Sequence, residues 1–287
     1  MNSFLVAPAI MTGIALLFAV ILAVAYRYLR VEEDPRIEQT EALLPGSNCG
    51  ACGEPGCRAF AEKLVGGAAQ PSRCTVASAE TVAALAELLD VDPGRQEQRA
   101  ARLHCAGGRG QAHQIAEYRG LESCLAASVL SGGGKGCSWG CLGLADCRDA
   151  CDFDAIAMNA NGLPVVDIDK CTACGDCVEA CPRDLFELVP LSHKLFVQCT
   201  APLAGDMARA LCRTACDACG KCAADAAPGL IRMENNLPVV DYAAGGPARP
   251  EATFRCPTGA IRWLEGAQFE SPETTRSRDE ARYARYG

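Results

Sequence analysis

The sequence has few of the groups on which most enzymes rely. Its 287 residues include only three histidines, His104, His113 and His193, and these are scattered along the chain. A Rieske centre needs paired histidines beside paired cysteines, so none is expected. No G-x-G-x-x-G motif follows a predicted strand, which argues against a nicotinamide or flavin site. Gly132-Gly133-Gly134-Lys135 lacks the full P-loop pattern and is interpreted as a turn. No catalytic residue is predicted.

The chain also lacks an excess of basic residues. Its formal net charge is −8 and its pI is about 5.0, which argues against nucleic acid as a partner.

Charge is absent altogether from Phe4 to Ala25. As a helix this run would be about 33 Å long, enough to cross one bilayer. Arg27 and Arg30 follow it and no basic residue precedes it, so the positive-inside rule places the later residues in the cytoplasm. A cleaved signal peptide would need the opposite charge order and a small-residue cleavage site. The sequence predicts a single-pass anchor in the cell inner membrane, with the lipid bilayer as a partner.

Cysteine, in contrast, is unusually frequent, with 20 copies. Cys171, Cys174, Cys177 and Cys181-Pro182 reproduce the bacterial ferredoxin run for a [4Fe–4S] cluster. A second set comprises Cys49, Cys52, Cys57 and Cys74. Zinc is the alternative for such C-x2-C spacings, although zinc sites usually combine two C-x2-C pairs. Disulfides are not expected in runs this tight.

An internal duplication organises the second half of the chain. Leu163–Asp167 recurs as Leu237–Asp241, and Cys137-x3-Cys141-x5-Cys147 recurs as Cys212-x3-Cys216-x5-Cys222.

The fold class predicted is α+β, with one N-terminal transmembrane helix, a four-Cys iron–sulfur module and tandem ferredoxin-like modules. Helices are expected at 58–65 and 75–89, a strand at 164–167, and short helices after the fourth cysteines. Residues 92–102 are expected to be exposed. The predicted divisions are the anchor (1–30), a linker (31–45), the four-Cys module (46–91), a connecting region (92–136), a two-cluster module (137–192), a degenerate one-cluster module (193–264) and a loose polar tail (265–287).

In two-cluster ferredoxins the fourth cysteine of each run ligates the other cluster. One predicted ligand set is therefore Cys171, Cys174, Cys177 and Cys151. The other is Cys137, Cys141, Cys147 and Cys181.

The second ferredoxin-like module retains only one complete set, Cys216, Cys219, Cys222 and Cys256. Ala226 stands at the position equivalent to Cys151, and Gly245, Ala248 and Glu251 lie near the positions equivalent to the 171–177 run. The prediction is at least three [4Fe–4S] clusters, and four if every complete set is filled. Cys105, Cys124, Cys199 and Cys212 remain over, either as reduced thiols or as ligands of a fifth cluster.

The order of these motifs resembles the B subunit of the ion-translocating Rnf complex. The resemblance is carried by the N-terminal span, the run Asn48–Cys57, the stretch Cys137–Cys147 and the ferredoxin motifs, and it covers nearly the whole chain. It implies an electron-transfer subunit of a membrane complex that passes electrons between ferredoxin and NAD and translocates Na⁺ or H⁺. It further implies soluble ferredoxin and other membrane subunits as partners, with flavins and the NAD site on those subunits. The missing cluster and Asp152 in place of proline depart from the family pattern.

Two other classes share some of these features. A corrinoid iron–sulfur methyl-transfer protein uses a similar four-Cys module but is soluble and carries a barrel, for which this cysteine-dense chain has no room. A ferredoxin-like subunit of a membrane hydrogenase or formate-oxidising complex is the closer alternative. The metal and flavin content of the purified complex would distinguish it.

Overall fold

The fold is described from a computed structural model that covers residues 3–29, 34–95, 97–243 and 245–270. The first element, α1, spans Ser3–Leu29. Within the described ranges, Ile10–Tyr28 is the one stretch of helix long and apolar enough to cross a membrane. It has a mean hydropathy of 2.1 and none of it is buried. Residue 30 of the predicted anchor, residues 31–33 of the predicted linker and residues 271–287 of the predicted tail lie outside the described residues.

The cysteines near the N-terminus belong to a small helical unit, the four-Cys module. Its helices are α2 (Pro35–Leu43), α3 (Cys57–Val65) and α4 (Ala79–Leu89), with a 3₁₀ turn at Pro71–Arg73. Helix α2 lies inside the segment predicted to be a linker, because Asp34 caps its N-terminus and Pro35 occupies the first turn. The predicted helix at 75–89 begins later, at the cap Ser78, whose Oγ accepts a hydrogen bond from the Thr81 amide (3.1 Å).

The core of this unit brings the three helices together. Leu44, Phe60, Leu64 and Leu85 are buried in one cluster, and Cys74 lies among them. The predicted linker therefore contributes to the module rather than only connecting it to the anchor.

A first ferredoxin-like unit follows. Strand β1 (Arg99–Leu103) pairs antiparallel with β4 (Phe186–Pro190), and β2 (Ile156–Met158) pairs antiparallel with β3 (Pro164–Val166). Leu103 lies opposite Phe186, and Ile156 lies opposite Val166. The three helices of this unit are α5 (Cys124–Val129), α6 (Asp146–Asp149) and α7 (Asp176–Glu179).

The N-terminal boundary of this unit differs from the predicted one. Strand β1 lies in the segment predicted to be a connecting region, and the expected exposure of residues 92–102 is wrong at 100–102. Ala100, Ala101 and Arg102 are buried, because β1 completes the sheet with β4 and the Arg102 guanidinium donates to the Gly266 carbonyl at 2.7 Å.

A second unit repeats the arrangement. Strands β5 (Leu195–Val197) and β8 (Ile261–Trp263) pair antiparallel, as do β6 (Ile231–Glu234) and β7 (Leu237–Val240). Asn235 and Asn236 form the two-residue loop between β6 and β7 with φ values of 48° and 66°, the left-handed pair that a type I′ hairpin turn requires. Its helices are α8 (Gly205–Leu211), α9 (Lys221–Asp225) and α10 (Glu251–Phe254).

The sequence predicts short helices after the fourth cysteines, but the short helices near the cysteines lie elsewhere. Helices α6, α7 and α9 instead contain the third cysteine of each run: Cys147, Cys177 and Cys222. Each begins after a residue with positive φ, namely Ala145, Gly175 and Gly220. The chain thus turns sharply after the second cysteine position, and the following helical turn directs the third thiol into the core.

The two units are joined by hydrogen bonds between the segments at the ends of their first strands, β1 and β5. The His104 ring contacts the Val197 carbonyl (Nδ1···O 2.7 Å), and the Ala106 amide donates to the Gln198 carbonyl (3.1 Å). Gln268 bridges both units, since its Nε2 donates to the Leu103 carbonyl (2.7 Å) and to the Gln198 Oε1 (3.1 Å). Residues 266–270 therefore pack on the first unit, although the tail is expected from the sequence to be loose from 265 onward.

Gly245 offers a test of the second unit's packing. A Cβ at this position would lie 2.4 Å from the Leu230 Cα, and Leu230 is fully buried. Because the obstacle is backbone, Gly245→Ala is expected to destabilise the unit by about 1–3 kcal/mol. Anaerobic thermal unfolding of the cluster-loaded protein measures this as a lower Tm. Gly266→Ala is the matched control, since its Cβ meets nothing within 4 Å; equal melting temperatures for the two variants would contradict the packing described.

Candidate iron–sulfur sites

The four-Cys module brings Cys49, Cys52, Cys57 and Cys74 together. Burial raises the pKa of Cys74, and the nearby thiols of Cys52 and Cys49 act in the same direction. Cys52 and Cys57 pack against the core cluster that contains Cys74. The 3₁₀ turn before Cys74 returns the chain to the other three thiols.

Polar contacts fix the loop that carries the first three of these cysteines. The Asn48 Oδ1 accepts a hydrogen bond from the Cys57 amide (2.8 Å), and the Arg73 guanidinium donates to the Cys52 carbonyl (2.7 Å). Gly56 is required beside this contact, because a Cβ there would approach the Asn48 Oδ1 to 2.9 Å. The loop is therefore held by side chains on both of its flanks.

The set Cys151, Cys171, Cys174 and Cys177 also converges. Burial raises the pKa of Cys177 to about 12, and the thiols of Cys171, Cys174 and Cys151 contribute in the same direction. Arg102 is buried close enough to Cys171 for their charges to interact. A guanidinium at this position favours the thiolate form and any anionic group that the four sulfurs hold.

The next site contains Cys141, Cys147 and Cys181, but its fourth thiol is Cys124. These four cysteines line one small internal cavity. Burial raises the pKa of Cys147, and the neighbouring thiols of Cys141, Cys124, Cys177 and Cys181 add to the effect. Cys137, which the spacing rule had placed in this set, does not line the cavity in the part of the chain that the structure describes.

Asp146 positions Cys124. Its carboxylate accepts hydrogen bonds from the Ser123 hydroxyl (3.0 Å), the Cys124 amide (2.8 Å) and the Leu125 amide (3.0 Å). The Cys124 thiol in turn accepts from the backbone amides of Asp146 and Leu144. Leu144 is the counterpart of Cys219 in the duplication, so Cys124 supplies a thiol where the first unit has lost its own.

The second ferredoxin-like unit brings Cys216, Cys219, Cys222 and Cys256 together. Burial raises the pKa of Cys222, with Cys256 and Cys219 as charged neighbours. Burial also raises the pKa of Cys216 to about 11, with Cys222 and Cys256 nearby. This is the predicted set.

In the second unit, apolar side chains occupy the place that corresponds to the first unit's site with Cys151, Cys171, Cys174 and Cys177. Ala226 and Ala248 pack against the core that contains Leu230 and Ile231. The Tyr242 hydroxyl donates to the Leu195 carbonyl (2.9 Å) and accepts from its amide (2.7 Å). The space that the first unit gives to Cys151 and its partners is thus filled by side chains.

The remaining thiols, Cys105, Cys137, Cys199 and Cys212, line another small cavity between the two units. The motif spacings leave three of these thiols over, together with Cys124, and predict Cys137 as a ligand of the set with Cys141, Cys147 and Cys181. The spacing of the cysteines does not indicate that Cys124 takes the place of Cys137 in the set with Cys141. The duplication does indicate a separate role for Cys137, since Cys137 and Cys212 are counterparts.

The chemistry of the donor sets suits iron–sulfur clusters. All 20 cysteines are free thiols, and soft sulfur donors in fours are the usual ligands of a [4Fe–4S] core. In the described ranges, no three His, Cys, Asp or Glu side chains converge closely enough for a single metal ion. A core of four irons is larger than one ion, so its four cysteines need not meet at a single point. Raised thiol pKa values mean that protons must leave when iron binds.

Comparison with known proteins agrees with these sites. A family model for an Fe-S cluster matches residues 44–76, and one for a 4Fe-4S binding domain matches residues 163–186. The B subunit of the Na⁺-translocating ferredoxin:NAD⁺ oxidoreductase complex of Acetobacterium woodii is 43% identical over 84% of this chain and 73% of the relative. Its proton-translocating counterpart from Clostridium ljungdahlii is 38% identical over 91% of this chain and 93% of the relative.

The chain belongs to the family of Rnf complex B subunits. A further member, the B subunit of an ion-translocating oxidoreductase complex of Methanosarcina acetivorans, is 34% identical over 81% of this chain and 88% of the relative. The resemblance stated from the motifs is thereby confirmed, as is the α+β class with iron–sulfur domains. The first match covers the whole predicted set Cys49, Cys52, Cys57 and Cys74, and the second covers the run Cys171–Cys181 but not Cys151.

The role of Cys124 is testable by substitution. Cys124→Ala should remove one ligand from the set with Cys141, Cys147 and Cys181 and lower the iron content by about four per chain. Iron and acid-labile sulfide of the anaerobically purified protein measure the loss. Leu125→Ala is the matched control, because that side chain is 63% exposed on the same helix. Full iron content in Cys124→Ala would refute the assignment.

Proposed function

We propose that this chain is the iron–sulfur electron-transfer subunit of a membrane complex that passes electrons between ferredoxin and NAD and couples this transfer to Na⁺ or H⁺ translocation. Membership of the B-subunit family supports the proposal, because the relatives from Acetobacterium woodii and Clostridium ljungdahlii are named as subunits of such complexes. The enzyme is then the whole complex, and this chain contributes no substrate site of its own.

The observation that carries the proposal is the close succession of thiol sets. Cys147, of the set with Cys124, has Cys177 of the next set among its charged neighbours. Both sets lie in one core with Leu103, Ile156 and Phe186. Redox sites within such a short distance suit serial one-electron transfer, which is the chemistry that bound [4Fe–4S] clusters supply.

Four clusters are proposed from sets with support in the ferredoxin pattern or the family models. The first would be held by Cys49, Cys52, Cys57 and Cys74, and the second by Cys151, Cys171, Cys174 and Cys177. The third would be held by Cys124, Cys141, Cys147 and Cys181, and the fourth by Cys216, Cys219, Cys222 and Cys256. Only the third differs from the sets expected from spacing.

The protein contributes burial and hydrogen bonds at these sites. Cys147, Cys177 and Cys222 are buried in apolar cores, which excludes water from the sulfurs. Backbone amides donate to several thiols, as at Cys124 and at Cys216, where the donor is Ala218. Amide donors and solvent exclusion are the main means by which proteins set cluster potentials.

The membrane arrangement follows from α1 and the charges after it. A single apolar helix near the N-terminus and the names of the relatives suggest association with a membrane. We extend this to a single-pass inner-membrane anchor with the cluster units in the cytoplasm, supported by Arg27 and Arg30 after the span. Soluble ferredoxin would then dock on the cytoplasmic units, and other subunits of the complex would meet α1 in the bilayer.

The relay is testable at Cys174. Cys174→Ala in the assembled complex should remove about four irons and abolish ferredoxin-dependent NAD reduction, because the second site would lose a ligand. Asp169→Asn, an exposed change in the same loop, is the matched control. Normal turnover by a Cys174→Ala complex that has assembled and lacks the cluster would exclude a relay through this site.

The anchor is testable by truncation. Deletion of residues 1–30 should release a soluble protein that keeps its clusters, because the helical module and both ferredoxin-like units lie beyond the span. Membrane fractionation with iron analysis measures both properties. A chain lacking residues 271–287 is the control and should stay in the membrane. Release of the control, or retention of the 1–30 deletion by membranes without the other subunits, would contradict the role of α1.

A further inference from the structure

The thiols left outside the four sets lie together at the junction of the two ferredoxin-like units. Cys105 and Cys137 come from the first unit and Cys199 and Cys212 from the second, and all four line one small cavity. We propose that these four cysteines bind a fifth [4Fe–4S] cluster, which cross-links the two units. The proposal rests on the cluster-binding function proposed above and adds a site to it.

The two units contribute equivalent pairs. Cys105 lies two residues after β1, and Cys199 lies two residues after β5. Cys137 precedes Cys141 by the same interval that separates Cys212 from Cys216. The site therefore has an approximate two-fold relation that follows from the duplication. Chance retention of thiols would not place both members of each pair at one junction.

The electrostatic neighbours of these thiols link them to one another. Burial raises the pKa of Cys137, and among its charged neighbours are Cys105 of its own unit and Cys212 of the other. Burial raises the pKa of Cys199 to about 11, and Cys105 is again a charged neighbour. Each unit thus has a thiol close to a thiol of the other.

The backbone around the cavity fits a bulky group held by sulfur. A Cβ at Gly107 would lie 2.8 Å from the Cys212 Sγ and 3.7 Å from the Cys105 Sγ, so the chain approaches both thiols at a residue without a side chain. The Cys141 amide donates to the Cys105 Sγ at 3.3 Å. Cys199 accepts from the amides of Cys216 and Ala201. Such N–H donors stabilise thiolates and cluster sulfurs.

A buried ammonium lies at the same cavity. Lys135 is 8% exposed, and its Nζ donates to the carbonyls of Gly107 and Cys141. Among the described residues it forms no ion pair with a carboxylate. A buried cation without a counterion is strongly destabilising, and the charge of Lys135 acts on the Cys137 and Cys141 thiols. A four-thiolate cluster carries net negative charge and would supply the missing counterion.

The position of this site relative to the others has a consequence for the relay. The Cys105 Sγ accepts a hydrogen bond from the amide of Cys141, which belongs to the third set in the first unit. Cys199 has the amide of Cys216 as a donor, and Cys216 belongs to the set of the second unit. The fifth site therefore lies between the Cys141 site of the first unit and the Cys216 site of the second. It shortens the electron path between the units, because the second unit has no counterpart of the site with Cys151 and Cys171.

The iron content of the full-length chain is the first test. Anaerobic iron and acid-labile sulfide analysis of the intact, reconstituted wild type should give about 20 irons per chain, four for each set. A value near 16 would overturn the fifth site and leave the proposed four-cluster function standing. A value far below 16 would count against both.

Substitution identifies the site. Cys199→Ala should lose about four irons and keep the other clusters, which shows that the variant folds. Thr200→Val is the matched control, because Thr200 lines the same cavity without a thiol. Full iron in Cys199→Ala would refute the proposal. If Cys199→Ala does not fold, the wild-type iron count and the spectroscopic test below decide the question.

Lys135 provides that spectroscopic test. In a potentiometric titration followed by electron paramagnetic resonance, Lys135→Met should shift the midpoint potentials of two clusters downward at full iron content, the one held by Cys141 and the one held by Cys137, because a cation that stabilises the reduced state of both is lost. Lys135→Arg should reverse both shifts at least in part. A shift of one cluster alone, or of none, would overturn the proposal.

Discussion

The burial of thiols is the constraint on which this structure depends. Cys147 and Cys177 lie in the same core as Leu103 and Phe186, and Cys222 lies in the same core as Leu230. Burial raises the pKa of each of these three thiols, so the neutral form is favoured until a cation displaces the proton. The strands have three to five residues and three of the nearby helices have four or five, too few to be stable alone. Iron bound by these thiols would therefore connect segments that hydrogen bonds and apolar packing hold only weakly.

Two buried cations support the same arrangement. Arg102 lies near Cys171, and Lys135 lies near Cys137 and Cys141. Each donates to backbone carbonyls, Arg102 to Gly266 and Lys135 to Gly107 and Cys141. In a chain with a net charge of −8, these two buried cations lie where anionic sulfur centres are expected.

Local patterns predicted the parts of the fold that depend on neighbouring residues. The apolar run predicted α1, the C-x2-C run predicted a set that the structure gathers, and the repeated Leu-Pro-Val-Val predicted strands in both units. Strand β1 was missed because its sequence, Arg-Ala-Ala-Arg-Leu, looks solvated. It becomes a buried strand only through pairing with β4 and through the contact of Arg102 with Gly266.

The exchange of Cys124 and Cys137 was missed for a related reason. Spacing rules apply to ligands within one short run, and Cys124 lies far upstream of Cys141. Its place depends on Asp146, which holds the start of α5 through three hydrogen bonds. Cys137 is close to Cys141 in sequence, but its thiol lies near those of Cys105 and Cys212. Tertiary contacts, which the sequence does not display, decide both positions.

The pairing of β1 with β4 has a consequence for biosynthesis. The ribosome releases the chain from its N-terminus, so β1 emerges long before β4 and the bridging Gln268 emerges last. The four-Cys module is built from nearby segments and can close early. The first ferredoxin-like unit cannot complete its β1–β4 sheet until residue 190 has emerged, and it lacks the Gln268 contacts until nearly the whole chain has been translated. Contacts of such long sequence separation form slowly. During that interval the cysteines of the first unit are not yet enclosed by its sheet, so the chain needs a reducing environment and a supply of iron and sulfide while it is being synthesised.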